Sequence, residues 1–189
     1  MRIPIRLPPR QANGFDVVGF GLNMTDLLVV LNGHPDPNSK QEVQRSLHSP
    51  GGQAATAMVA CARLGCKARY VGQFGDDLHG LLGIESLNSE RVDTSAAKVV
   101  PGTANGFSII LVDNATGDRT IMWQRSDKLA FQPEDVDPVA VCSGRVLLVD
   151  CHDTMASTRA ARCARAAGIP TVIDVEYVRP GIDNLLREI

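Results

Sequence analysis

The sequence lacks any long apolar run. No segment of the 189 residues approaches the about 18 consecutive apolar residues that cross a membrane. Residues 1–14 also lack the apolar core of a signal peptide, and we interpret them as a loose leader before the folded part. We therefore expect a cytoplasmic protein with no membrane partner.

Paired cysteines and an excess of charge of one sign are absent as well. The five cysteines are odd in number and form no C-x-x-C pair, so the sequence indicates neither a disulfide framework nor a zinc site. The formal net charge is −2 and 21% of the residues are charged, which gives no reason to expect a nucleic-acid partner. Composition and length are typical of a single globular domain.

Two nucleotide-binding fingerprints are also missing. Gly19 and Gly21 follow a strand-like run in "VVGFGLNMTD", but a dinucleotide site needs a third glycine where this chain has Met24. The chain then continues with the extended "DLLVVL" instead of a helix, and it has no G-x-x-x-x-G-K-[ST] phosphate loop. The sequence therefore gives little support to a nucleotide-dependent oxidoreductase. This is the weakest of three functional hypotheses, and the other two are given below.

Strands and helices alternate along most of the chain, which predicts an α/β fold. Residues 15–20 are typical of a buried strand, 51–64 of a helix, and 144–175 of a β-α-β unit with parallel strands. The β-rich stretch at 98–123 interrupts this alternation and contains a hairpin with its turn at 113–118. We expect a parallel sheet covered by helices and a smaller β-sheet beside it.

Two adjacent glycines precede the predicted helix. Because Gly51 and Gly52 carry no side chains, a ligand can approach the helix N-terminus, where main-chain N–H groups lack intrahelical partners. A tight turn before a close-packed helix fits the sequence equally well. Asp26 offers two acceptor oxygens to vicinal hydroxyls, with a loop aspartate that binds its own backbone as the alternative.

Polar residues also follow the later strands. His152 and Asp153 come just after Asp150, and Asp174 holds a comparable position in the next strand. Because no ligand spacing supports a metal cluster, we interpret these residues as loop and helix-capping groups. We assign Trp123, the one tryptophan, to packing in the smaller sheet or at an interface and not to stacking on a sugar.

Together these motifs resemble the PfkB (ribokinase-like) family of carbohydrate kinases over residues 15–189. "DVVGFGLNMTD" is similar to the family's first strand and its substrate-binding aspartate, and "PGGQAATAMVACARLG" to its N-terminal signature. "YVGQFGDDLHG" is similar to the family's "iG.vGdD.fG" stretch. The resemblance implies a three-layer ribokinase-like core with a parallel sheet, and a small β-sheet lid built from segments at about 26–48 and 98–124.

The resemblance also implies a substrate site and a reaction. The residues that it assigns to the substrate are Asp26, Gly51, Gly52, Gln53, Thr56 and Asn105. Thr56 stands where the family usually has asparagine, and Phe107 is an alternative to Asn105. The implied reaction is ATP-dependent phosphorylation of a sugar or nucleoside hydroxyl with Mg²⁺, by a homodimer that associates through the lid.

One part of the family pattern is absent. The sequence contains neither the Gly-Ala-Gly-Asp segment that carries the family's catalytic base nor the Asn-x-x-Glu motif that precedes it. We therefore expect the sugar-binding and lid part of a kinase without its C-terminal nucleotide-binding part. We assign no catalytic residue, and expect neither tight ATP or Mg²⁺ binding nor turnover by this chain alone. The alternative is a non-catalytic sugar- or nucleoside-binding module that dimerises through the lid.

Overall fold

A computed structural model describes residues 6–9, 12 and 14–189 of the chain. The leader predicted for residues 1–14 therefore lies mostly outside the described residues. Within it, the carbonyl oxygen of Pro8 accepts a hydrogen bond from Arg145 Nε at 2.8 Å. The domain boundaries remain a prediction.

Strands and helices alternate through the described part of the chain as expected. The strands are β1 Val17–Phe20, β2 Met24–Leu31, β3 Arg45–Gly51, β4 Ala68–Val71, β5 Gln73–Gly75, β6 Lys98–Val100, β7 Phe107–Asp113, β8 Arg119–Gln124, β9 Leu147–Asp150 and β10 Thr171–Asp174. The helices are α1 Gln53–Arg63, α2 Leu78–Ser89, α3 Pro138–Val141, α4 Thr154–Ala166 and α5 Ile182–Leu186. None of these helices is long and apolar enough to cross a membrane.

A four-stranded parallel sheet forms the centre of the molecule. Its strand order is β10-β9-β1-β4, and neighbouring strands are parallel throughout. β9, α4 and β10 form the β-α-β unit that the sequence predicts, with Leu147 paired to Thr171. All four residues of β1 are buried, as expected for a strand with helices on both faces.

Two apolar clusters cover the two faces of this sheet. Val18 and Phe20 of β1 point into a cluster with α3, α4 and α5, whereas Val17 points into a cluster with α1 and α2. Alternate residues of a strand face opposite sides, so the helices lie in two separate layers. This arrangement confirms the three-layer α/β core.

A second sheet, here called the mixed sheet, has the order β3-β2-β7-β8. β2 pairs with β3 antiparallel and with β7 parallel, and β7 pairs with β8 antiparallel. The hairpin predicted around residues 113–118 is present, since the amide of Asp113 donates to the carbonyl of Asp118 at 2.9 Å. β5 and β6 form a separate two-stranded pair.

Candidate functional site

A cavity of about 210 Å³ lies where the mixed sheet meets the parallel sheet. The residues that the mixed sheet contributes are Met24, Asp26, Ser108, Ile110, Ile121 and Trp123. They lie on one face because they alternate along β2, β7 and β8. The opposite wall contains Gly52 and Gln53 at the start of α1, His152 after β9 and Glu176 after β10. The cavity therefore occupies the carboxyl edge of the parallel strands, where open α/β sheets bind ligands.

The paired glycines are required by the protein's own packing. Gly52 has a φ of 93°, and a Cβ there would lie 2.5 Å from Asn23 Cα and 2.6 Å from the carbonyl oxygen of Leu22. A Cβ on Gly51 would overlap the Oδ2 atom of Asp26. Close packing within the protein therefore accounts for both glycines, and Gly52 lines the cavity as well.

Asp26 lies within β2, so the alternative of a loop aspartate is wrong. Its neighbours across the sheet are Ser49 in β3 and Ser108 in β7. Its Oδ1 atom accepts a hydrogen bond from Ser108 Oγ. An ionised carboxylate has about four lone-pair sites, so Asp26 retains acceptor capacity toward the cavity that it lines.

The other substrate residues predicted from the resemblance lie in three different places. Gln53 lines the cavity, and its buried Oε1 has no hydrogen-bond partner among the described residues. Thr56 is exposed and lines a different cavity together with Gly51, between α1 and α2. Asn105 is buried, and its Oδ1 accepts from the amide of Gly75 at 3.0 Å.

Phe107, the alternative to Asn105, packs its ring 4.7 Å from the ring centroid of His79 in α2. Neither Phe107, Asn105 nor Thr56 is among the residues that line the cavity at the edge of the parallel sheet. Of the predicted set, this cavity brings together Asp26, Gly52 and Gln53.

His152 is a cavity residue that the sequence interpretation treated as a loop group. Its Nδ1 lies 2.9 Å from Arg179 Nη2. A guanidinium can only donate, so Nδ1 accepts and a neutral imidazole carries its proton on Nε2. Burial, together with the positive charges of Arg179 and Arg125, lowers the pKa of His152 to about 4. His152 is therefore neutral near pH 7, with an Nε2–H group left to donate.

Asp150 holds two segments that line the cavity. Its side chain is fully buried and accepts hydrogen bonds from the amides of Leu22 at 2.6 Å and His152 at 3.0 Å. Burial raises the pKa of Asp150 to about 6, although both hydrogen bonds act in the opposite direction. The carboxyl group thus fixes the two loops that carry Leu22 and His152.

Asp153 does not cap α4 as expected. It occupies the N-cap position without a side-chain hydrogen bond to the helix. Both carboxylate oxygens instead bind Arg125, with Nη1–Oδ1 and Nη2–Oδ2 distances of 2.8 Å. An ion pair with a buried cation competes successfully with a cap, because charge-assisted bidentate bonds are stronger than a single bond to an amide.

No metal centre is assigned. Within residues 6–9, 12 and 14–189, no three His, Cys, Asp or Glu side chains come close enough together to hold a metal ion. Asp150, a buried acid that contacts Leu22 and His152 of the cavity wall, uses its oxygens on their two amides. We therefore assign none of these residues to a metal ion.

Comparison with known proteins defines the class of this chain. Residues 15–189 match the pfkB family of carbohydrate kinases, and the chain belongs to that family. This match confirms the resemblance found in the sequence motifs.

Among curated relatives, mouse ribokinase is 28% identical over 170 residues, which are 88% of this chain and 52% of that protein. Deoxyribokinase of Salmonella typhi is 30% identical over 125 residues, which are 66% of this chain and 40% of that protein. The chain thus spans about half the length of the curated relatives it matches.

Solved structures confirm the fold. A protein from Agrobacterium tumefaciens assigned as a ribokinase has a TM-score of 0.81 and 28% identity, over 92% of this chain and 56% of that chain. Arabidopsis thaliana ribokinase complexed with ribose and ATP has a TM-score of 0.76 and 20% identity, over 93% of this chain and 58% of that chain. The ribokinase-like architecture is therefore established.

Replacing Gly52 by alanine should be far more harmful than replacing Gly33. Both glycines have positive φ, 93° and 80°, but a Cβ on Gly33 meets nothing within 4 Å. The backbone strain, about 1 kcal/mol, is common to both variants, whereas the overlap with Leu22 and Asn23 affects Gly52→Ala alone. We expect Gly52→Ala to lose more than about 3 kcal/mol of unfolding free energy in urea titrations. Equal losses in the two variants would contradict the packing role of Gly52.

Asp150 should make the protein less stable as the pH rises. Its folded pKa of about 6 lies above the ordinary value of 3.8, so the folded state holds the proton to higher pH than the unfolded state does. The unfolding free energy of the wild type, minus that of Asp150→Asn, should fall by up to about 3 kcal/mol between pH 4 and 6. This difference should level off only above about pH 7, where the folded-state carboxyl group is almost fully ionised. A difference that rises with pH in equilibrium unfolding would show that burial does not dominate.

Proposed function

We propose that this chain binds a sugar or nucleoside in the cavity at the edge of the parallel sheet, as the sugar-binding and lid part of an ATP-dependent kinase. The observation that carries the proposal is the Asp26 carboxylate, held over Gly51 and facing a cavity that the start of α1 also lines. Its relatives support it, since those named here are a ribokinase and a deoxyribokinase.

The lining groups suit a hydroxyl-bearing ring. Asp26 accepts from ligand hydroxyls and His152 donates from Nε2, while Gln53 lines the same space. Met24, Ile110 and Ile121 cover the same space with apolar side chains and limit the access of water. The contribution of these residues is to orient the ligand in a partly dry site.

The charges that line the cavity favour an uncharged ligand. Asp26 and Glu176 are carboxylates, and no Lys or Arg is among the described residues that line this space. A sugar acid or sugar phosphate would place a further negative charge beside them without a compensating cation. We therefore propose a neutral sugar or nucleoside.

The phosphate-transfer part of the reaction is not assigned to these residues. ATP supplies the transferred phosphoryl group in reactions of this kind. We assign no residue of this chain to ATP or Mg²⁺, because the Gly-Ala-Gly-Asp segment is absent and the described residues form no metal-ligand group. We propose that residues 1–189 alone bind the ligand without measurable turnover.

The outer face of the mixed sheet favours a second, compatible function as a dimerising module. Leu27, Val29, Ile109 and Leu111 alternate with the cavity residues and face away from the cavity. Met122 on the same face is 48% exposed. An apolar sheet face of this kind fits an equal face on a second copy.

The binding proposal predicts that Asp26 is required for ligand stabilisation. In a thermal-shift panel of ribose, deoxyribose, fructose and adenosine, at least one compound should raise the melting temperature of the wild type. Asp26→Asn should weaken its binding by about tenfold or more, since a carboxylate acceptor becomes a partial donor. Asp36→Asn, at an exposed loop position, is the matched control. No stabilisation of the wild type would count against binding, and sugar-dependent ATP consumption would refute the inactive state.

The dimerisation proposal predicts a molar mass near twice the 20.3 kDa of the monomer in light scattering. Met122→Lys should shift this mass toward the monomer, because a charge would be buried in an apolar interface. Leu64→Lys, at a residue that follows directly after α1 and is 84% exposed, should leave the mass unchanged. A monomeric wild type would exclude the dimer and leave the ligand-binding proposal intact.

A further inference from the structure

Two neighbouring contacts fasten the end of β8 to the loop that follows β9. The ring centroid of Trp123 lies 5.4 Å from that of His152. Arg125, two residues after Trp123, forms the bidentate ion pair with Asp153, the residue next to His152. One residue of each contact therefore belongs to the segment from the mixed sheet, and the other to the loop at the edge of the parallel sheet.

The ion pair is well placed to fix an orientation. The side chains of Arg125 and Asp153 are only 13% and 11% exposed. Arg125 Nη2 also donates to the carbonyl oxygen of Leu129 at 2.5 Å, and Asp153 Oδ2 accepts from the amide of Phe131 at 3.0 Å. These hydrogen bonds fix the orientation of the planar guanidinium group. The ammonium group of a lysine is a point charge and could not be oriented in the same way.

The ring pair that these contacts hold lines the cavity. Trp123 and His152 both belong to the cavity wall, and Arg179 also contacts His152 through Nδ1. Trp123 is 52% exposed, so it is not a core residue that packing alone would hold in place. An aromatic face in this position suits the C–H face of a sugar ring or a nucleoside base, while Asp26 binds its hydroxyls.

We propose that Arg125 is a positioning residue: through Asp153 it holds Trp123 against His152, and this ring pair is the wall on which the ligand packs. The ligand-binding half of this inference rests on the proposed function. The other half, the position of Trp123, is a property of the protein without ligand. Trp123 thereby acquires a role in the cavity in place of the packing role expected from the sequence.

Trp123 can be observed directly, because it is the one tryptophan of the chain. Arg125→Lys keeps the charge and loses the bidentate contact with Asp153, so acrylamide quenching of the ligand-free protein should increase by about twofold. Asp153→Asn tests the same contact from the other side, and serves if Arg125→Lys does not fold.

Arg69→Lys is the matched control for loss of stability. Arg69 also pairs with an aspartate, since its Nε lies 2.9 Å from Asp93 Oδ1, but it belongs to β4 and is not among the cavity residues. The variant Arg69→Lys should lower the melting temperature without changing the quenching of Trp123. Unchanged quenching in both Arg125→Lys and Asp153→Asn would overturn the proposal.

Binding of ribose and adenosine supplies the second readout. The dissociation constant of whichever probe binds the wild type should rise about tenfold in Arg125→Lys and stay the same in Arg69→Lys. Increased quenching with an unchanged dissociation constant would overturn the role in ligand positioning. If the wild type binds neither probe, the proposed function and the ligand wall fail together, while the quenching still decides whether Arg125 holds Trp123.

Discussion

The structure depends on the close approach of the start of α1 to the link between β1 and β2. Gly52 lies against Leu22 and Asn23 at a distance that no side chain would permit, and the amide of Ala55 donates to the carbonyl oxygen of Leu22 at 3.3 Å. This contact sets the direction in which the chain runs from β1, in the parallel sheet, into β2, in the mixed sheet. It therefore determines where Asp26 lies and where the mixed sheet covers the parallel strands.

The same link is held from the opposite side by a buried acid. Asp150 receives the amide of Leu22 at the end of β9, and a Cβ on Gly21 would overlap its carboxylate. Burying a carboxyl group costs free energy unless its oxygens accept hydrogen bonds. The amides of Leu22 and His152 donate those hydrogen bonds to Asp150. The loop between β1 and β2 is thus fixed between α1 and β9, which makes one wall of the cavity rigid.

Local sequence patterns predict the α/β fold class and, with the family resemblance, three residues that line the candidate site: Asp26, Gly52 and Gln53. Apolar runs and turn residues predict the β-α-β unit and the hairpin at 113–118 because these depend on neighbours in the chain. The side chains of His152 and Trp123 meet across two sheets, so no local pattern places them together. The prediction that Asp153 caps α4 is wrong for the same reason. The side chain of Asp153 binds Arg125, which comes from a distant segment of the chain. The role of Thr56 in ligand binding remains a prediction.

The construction of the mixed sheet has a consequence for how quickly the protein acquires its cavity. β2 and β7 lie side by side, and Asp26 and Ser108 hydrogen-bond although 82 positions separate them in the chain. Closing so long a loop costs conformational entropy before the contact returns any stabilisation, and pairings between distant parallel strands form slowly. The mixed sheet, which forms one wall of the cavity, should therefore assemble late in folding, after local hairpins and helices have already formed.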